Sequence, residues 1–270
     1  MTYELGIIGA GNMAEAITRG ILRAGLLKPS QIIATDVAAP RRELFQNELG
    51  IKSVDDNAAV AGQSRRLLLS VKPQQVQTAL AGIGAVMNVE TRVISIMAGI
   101  STAFIEKHLS GGKPWRVIRA MPNTPMLVGE GMAGICAGNH ATPDDVADAK
   151  RLFEAAATVI EVTEDQMDAV TAVSGSGPAY FFYFVEHMIR AGESLGLTAQ
   201  QSKTLALKTA AGAARMLATS TDTPQELRRK VTSPGGTTQA AITYLEQQMV
   251  GEIFAQAIGA AAKRSKELGV

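Results

Sequence analysis

Leu5-Gly6-Ile7-Ile8-Gly9-Ala10-Gly11-Asn12-Met13-Ala14 opens this 270-residue chain as a β-branched strand, a glycine turn and the start of a helix. Gly9 permits the tight turn, Gly11 lets a backbone approach a pyrophosphate, and Ala14 fills the last small position of Gly-x-Gly-x-x-Gly/Ala, where helix and strand pack closely. Three small residues alone are weak evidence, because a plain strand-to-helix turn uses them too. Here a strand precedes them, the amphipathic pattern Ala14–Ala24 follows, and the next strand, Ile32–Thr35, ends in Asp36 at the spacing a ribose ligand needs. The stretch therefore predicts a dinucleotide-binding α/β domain.

Working outward, Leu67–Val71, Val93–Met97 and Val117–Met121 repeat the short apolar run, with Gly131–Ala137 and Val159–Val162 as weaker strands whose direction need not match the others. Helical patterns such as Arg41–Leu49 lie between them, so the fold class is α/β, a doubly wound, mainly parallel sheet of Rossmann type. After about Glu164 strand signals stop. Thr163-x-x-Gln166, Thr198-x-x-Gln201 and Thr223-Pro224-x-Glu226 then mark successive helix starts, Pro224 suiting a first helical position. This gives two domains, 1–163 for the dinucleotide and 164–270 all helical, in line with a chain longer than a single core usually supports. Ala179–Leu195 is apolar nearly all round, including Tyr180, Phe181, Phe182, Tyr183 and Phe184, so helices of a second subunit are expected to cover it.

Bulk properties narrow the ligand. With 26 Lys plus Arg against 25 Asp plus Glu and no segment concentrating either sign, the chain lacks the electrostatics of sequence-independent nucleic-acid binding. The N-terminus shows no signal-peptide pattern, and no apolar stretch reaches the roughly 18 residues of a membrane span, so a cytosolic, soluble protein is expected. Cys136 reads as a packing residue. His108, His140 and His187 have no metal-ligand spacing, and no metal is expected.

The C-terminal ends of strands carry the remaining dinucleotide candidates. They are Ser70-Val71-Lys72-Pro73, Ala98-Gly99, and Met121-Pro122-Asn123-Thr124-Pro125 with its amide between two prolines. Asp36 favours NAD by repelling a 2′-phosphate, yet Arg41 and Arg42 follow within reach and either bind that phosphate or simply face solvent. NADPH and NADH both fit. At the other end of the chain, Val231-Thr232-Ser233-Pro234-Gly235-Gly236-Thr237-Thr238 sets glycines and hydroxyls before a helix, a geometry suited to a carboxylate, or else a helix connection capped by Thr237 or Thr238. Ser174-Gly175-Ser176-Gly177-Pro178 reads as a kink or close helix crossing, as a substrate contact, or as both.

Together these stretches, with Ala169-Val170-Thr171-Ala172-Val173 running into Ser174–Tyr180, resemble the pyrroline-5-carboxylate reductases over nearly the whole chain. The resemblance implies a Rossmann-type domain joined to a helical domain that interlocks with its partner into a homodimer, often assembled into decamers. It implies NAD(P)H-dependent reduction of a cyclic imine to proline. Gly9, Ala10, Gly11, Asn12, Met13, Val71, Lys72, Pro73 and the asparagine at Asn57 would hold the cofactor, with Ala98 and Gly99 near the nicotinamide. Ser233, Gly235, Gly236 and Thr237 would bind the substrate carboxylate from the other subunit, and the Thr238 hydroxyl would meet the ring nitrogen. Many members carry an uncharged residue where this chain has Asp36, which leaves cofactor preference open. Two other readings compete. A β-hydroxyacid dehydrogenase would need an acid–base lysine, with Lys203 and Lys208 available, and a redox sensor would need the dinucleotide turn but no carboxylate loop.

Overall fold

The computed structural model describes residues 2–109 and 111–269. In chain order the regular elements are β1 Tyr3–Ile8, α1 Asn12–Arg23, β2 Ile32–Thr35, α2 Ala39–Asn47, β3 Lys52–Val54, α3 Asn57–Gln63, β4 Ser64–Leu69, α4 Val76–Leu80, α5 Ile83–Val86, β5 Arg92–Ser95, α6 Thr102–His108, β6 Arg116–Pro122, β7 Gly131–Ala137, α7 Pro143–Glu154 and β8 Ala157–Glu161. Helices alone follow: α8 Met167–Val170, α9 Gly177–Ser194, α10 Ala199–Thr219, α11 Pro224–Lys230, α12 Thr237–Gln247 and α13 Val250–Leu268.

The strands form one eight-stranded sheet in the order β3-β2-β1-β4-β5-β6-β7-β8. β1 to β6 run parallel, β7 turns back antiparallel to β6 with Ile118 opposite Ala137, and β8 lies parallel to β7. Because helices cover both faces, the central strands read as apolar runs: Leu5 and Ile7 point into one core with Ile17, Ile32 and Phe153, and Ile8 into the other with Leu67, Val93 and Trp115. Chain order reverses between β1 and β4, and a crevice at their carboxyl ends is the expected ligand position in such a sheet. Three short elements that the sequence did not suggest, β3, α4 and α5, complete this region.

The chain divides into two compact units, one extending to Ser176 and taking back the stretch from Ala261, the other Gly177–Ala260. This grouping differs from the division at 163/164 expected from sequence, because residues 164–176 are fastened to the sheet. Glu164 pairs with buried Arg119 of β6 at 2.7 Å, and a Cβ on Gly134 of β7 would lie 2.7 Å from Val170, so α8 sits directly on that strand. Between α8 and α9 the chain makes a π-helical turn, Thr171–Gly175, and a Cβ on Gly175 would meet Met121 of β6 at 2.5 Å. The small residues expected to mark a kink or a close helix crossing instead mark a π-helical turn packed closely on a strand.

In the second unit α9 packs on α10, and Phe254 receives the edges of Tyr180 and Phe184 at centroid distances of 5.6 and 5.7 Å. Other apolar side chains of this unit are open among the described residues. Phe181 is 69% exposed and Phe182 67%, with Tyr183, Leu205, Tyr244 and Ile253 also open. The capping boxes read from Thr163, Thr198 and Thr223 are all formed.

Candidate dinucleotide site and substrate loop

Gly9 holds φ at +94°, and a Cβ there would lie 2.7 Å from the Ser70 carbonyl oxygen, so both conformation and space require glycine. Gly11 is different. Its φ is −72° and a Cβ would meet nothing within 4 Å, so the protein's own packing does not call for glycine there. What Gly11 leaves open is the wall of a cavity of about 470 Å³, lined also by Gly9, Asp36, Asn57, Ser70, Val71 and Lys72. Next to it, Met13, Val71, Lys72, Pro73 and Ala98 line a smaller cavity of about 260 Å³ with Met121 and Pro122. The two share Ser70, Val71 and Lys72, so they form a path along the carboxyl ends of β1, β4, β5 and β6. α1 starts at Asn12 behind Gly11 with no side-chain cap, leaving the positive end of its dipole facing that path.

The turn is held by residues from the β2–α2 connection. Asp36 Oδ2 accepts the Ala10 amide at 2.8 Å, and Arg41 Nε donates to the Ala10 carbonyl at 2.6 Å. Arg41 also pairs with Glu15 of α1 at 2.8 Å, while Arg42 donates to the Asp36 carbonyl at 2.6 Å. Burial by itself would raise the Glu15 carboxyl, but hydrogen bonds from Arg41 and Arg19 bring it below its usual range. Both arginines are therefore engaged with backbone or carboxylate, neither simply facing solvent nor turned toward the cavity. Among the cavity's lining residues Asp36 and Lys72 carry the charge.

Asn123 is 8% exposed, accepting from the Met132 amide at 2.9 Å and donating to Ser174 at 3.3 Å. Its amide ties the β6–β7 connection to the π-helical turn, and it does not line either cavity. Ala10 is buried and Asn12 exposed, and neither is among the residues that line the two cavities. Gln75 and Thr78, which line the larger cavity, were missed in the sequence. Their signal was their place in the helical turn just after Lys72-Pro73.

The loop at 231–238 lies in the second unit. Gly235 has φ +72°, the Gly236 amide donates to the Ser233 carbonyl at 3.0 Å, and α12 starts at Thr237. The cap position is Gly236, not Thr237 or Thr238, and no side chain caps the helix. The Gln239 side chain reaches back from the first turn to accept the Gly235 amide, no side-chain cap engages the Thr237 and Thr238 amides, and Thr238 is half-buried beside them. Ser176 ends the π-helical turn in the first unit, its amide bonded to the Thr171 carbonyl at 2.8 Å.

Other chemistry finds less support. Lys203 and Lys208 are exposed along α10. Cys136 is buried and free, and burial next to Glu164 pushes its thiol up to about 12, which keeps it an unreactive neutral group. Among the described residues no cluster of His, Cys, Asp or Glu is arranged to hold a metal, and no helix is long and apolar enough to cross a membrane.

Residues 164–268 match the family described as pyrroline-5-carboxylate reductase dimerisation, and residues 4–99 the family described as NADP oxidoreductase, coenzyme F420-dependent. The pyrroline-5-carboxylate reductase of Synechocystis sp. is 41% identical over 269 residues, covering 100% of this chain and 99% of its own. Among solved structures, a pyrroline-5-carboxylate reductase from Coxiella burnetii superposes with a TM-score of 0.89 at 37% identity, covering 100% of both chains. The Plasmodium falciparum pyrroline carboxylate reductase with NADP bound gives 0.89 at 29% identity, covering 99% of this chain and 98% of that one.

Proposed function

We propose a division of labour among named residues, starting from the premise that this chain belongs to the pyrroline-5-carboxylate reductase family. As a member it is an NAD(P)H-dependent oxidoreductase that reduces the C=N bond of 1-pyrroline-5-carboxylate to give L-proline, the closing step of proline biosynthesis. The observation that carries the site assignment is the open space at Gly11, which no described residue fills and which faces an uncapped helix start.

The bound nicotinamide supplies the hydride. The α1 amides and Lys72 take the pyrophosphate, Asn57 and Asp36 the adenosine side, and Met13, Pro73 and Ala98 the nicotinamide side, with Gly99 behind Ala98 shaping its loop and Asn123 stiffening the neighbouring connection. A protonated imine is already electrophilic, so no acid has to protonate a developing alkoxide. This agrees with a substrate loop that offers hydroxyls and amides but no imidazole or carboxyl group. Ser233, Gly235, Gly236 and Thr237 grip the substrate carboxylate at the uncapped start of α12, Thr238 hydrogen-bonds the ring nitrogen, and Ser176 adds a contact from the π-helical turn. Holding the ring and excluding water is where such a site gains its rate. The dimerisation region supports self-association, and we place the functional form as a cytosolic homodimer with residues 164–270 as its dimerising part, decamers being a further assembly of such dimers.

The geometry around Asp36 favours NADH. A 2′-phosphate would face the Asp36 carboxylate with both nearby arginines already engaged. At about 5 Å and an effective dielectric of about 20 to 40, such like charges cost about 1.5–3 kcal/mol. Following NAD(P)H oxidation at 340 nm with pyrroline-5-carboxylate should therefore show turnover with both cofactors and kcat/KM about ten- to a hundredfold higher for NADH. No rate with either would overturn the function, and an NADPH preference the specificity. Asp36→Asn, which keeps an acceptor for the Ala10 amide, should narrow the gap mainly by improving NADPH.

Arg41→Ala separates two roles. If Arg41 holds the turn, as its bond to the Ala10 carbonyl suggests, its loss should raise KM about three- to tenfold for NADH and NADPH alike. A loss confined to NADPH would instead make it a phosphate ligand.

A further inference from the structure

The loop after β5, residues 96–101, is gripped from outside by the far end of the chain. Gly99 has φ +77°, and a Cβ on it would fall 2.6 Å from the Ser265 carbonyl oxygen and 2.8 Å from the Gly269 amide nitrogen. The approach is reciprocal, since a Cβ on Gly269 would lie 2.6 Å from the Gly99 carbonyl oxygen. Two backbones touch where neither residue has room for a side chain. The opposite face of this loop, at Ile96, Met97 and Ala98, lines the smaller cavity.

α13 is itself anchored at this point. Ser265 is 3% exposed and donates to Asp168 Oδ1 at 2.6 Å. Asp168 lies 3.8 Å from buried Arg119, which pairs with Glu164 at 2.7 Å. Glu164 in turn accepts the Thr102 hydroxyl at 2.6 Å, immediately after the loop. A chain of polar contacts through two carboxylates and one guanidinium thus joins the end of α13 to the start of α6, with the loop enclosed between its two ends.

We propose that Ser265–Gly269 positions the Ala98–Gly99 loop against the nicotinamide half of the cofactor, Gly269 by backbone contact and Ser265 by anchoring α13. The inference rests on the reading of Ala98–Gly99 as a nicotinamide-side loop. It gives the segment from Ala261, which leaves the helical unit and packs with the sheet, a role in cofactor affinity. Gly269 and Ser265 touch neither cavity, so they act only through the loop.

Gly269→Val should push α13 off Gly99 and raise the NADH KM and the dinucleotide Kd by about five- to twentyfold, with kcat within about threefold of the unsubstituted enzyme. Glu267→Ala, on the same turn but exposed and paired with Arg264, should change neither. Ser265→Ala should weaken NADH in the same direction, and Ser265→Thr, which keeps the hydroxyl, should restore it. An unchanged NADH KM in Gly269→Val, or equal losses in kcat and in the KM of both substrates, would overturn the proposal. If Gly269→Val does not fold, the Ser265 pair decides, an unaltered KM in Ser265→Ala being the negative result. Failure of the unsubstituted enzyme to bind dinucleotide would instead strike the reading beneath the proposal, and it is measured first.

Discussion

Phe181→Asp combined with Phe182→Asp should leave the chain monomeric by light scattering at micromolar concentration, while the unsubstituted protein runs as a dimer or larger. These rings are 69% and 67% exposed within the chain, although α9 is apolar on nearly every side. A folded chain does not keep such a helix in water without reason, and the dimerisation family matched by residues 164–268 supplies one. Covering a large apolar side chain contributes about 2–3 kcal/mol, and a two-fold interface uses each ring twice. Loss of four rings, with four carboxylates to desolvate, should weaken association at least about a thousandfold. The dinucleotide cavities lie wholly in the first unit, so dinucleotide binding should survive in the monomer. Turnover should be lost, because the substrate loop is proposed to act from the other subunit. A variant that stays dimeric would remove this face from the interface, and a fully active monomer would show that each chain supplies its own loop.

The parts of this fold that local chemistry determines were legible beforehand. Strand, turn and helix from Leu5 to Ala14 follow from β-branching and two glycines, and the helix starts at Thr163, Thr198 and Thr223 follow from a hydroxyl and an acid or amide three residues on. β3 was invisible because three residues, one an exposed lysine, carry no period. The sheet's reversal at β7 depends on the connection after Asn123, so its direction could not be read from Gly131–Ala137 itself. The candidate site shows the same boundary. Glycine turns announce a ligand path, whereas the clamp of Asp36 and Arg41 on the Ala10 peptide joins residues 26 and 31 apart. The Ser265–Asp168 bond spans 97 positions. No spacing rule reaches so far, and these distant bonds are what turn a generic dinucleotide motif into this particular site.

Thr238→Ala should lower kcat/KM for pyrroline-5-carboxylate about ten- to a hundredfold, the effect of losing one hydrogen bond worth about 1.5–3 kcal/mol to a charged group. The hydroxyl stands in the first turn of α12, half-buried, with Gly236 rather than a side chain in the cap position. Many helices satisfy their first amides with a serine, threonine or aspartate at the cap; here Gly236 stands at the cap, Gln239 holds the Gly235 amide, and the Thr237 and Thr238 amides are left to a ligand. A purely structural Thr238 would cost stability when removed and would affect both substrates alike. The proposed role predicts otherwise: NADH affinity and thermal midpoint stay near those of the parent, the loss falls on the imine substrate, and Thr238→Ser recovers most of it. Because the bond to the ring nitrogen orients the ring for hydride transfer as well as holding it, the defect should persist at saturating substrate. An alanine variant with parental turnover and substrate affinity would show that the ring nitrogen is met elsewhere, leaving Ser176, at the end of the π-helical turn, as the next hydroxyl to replace.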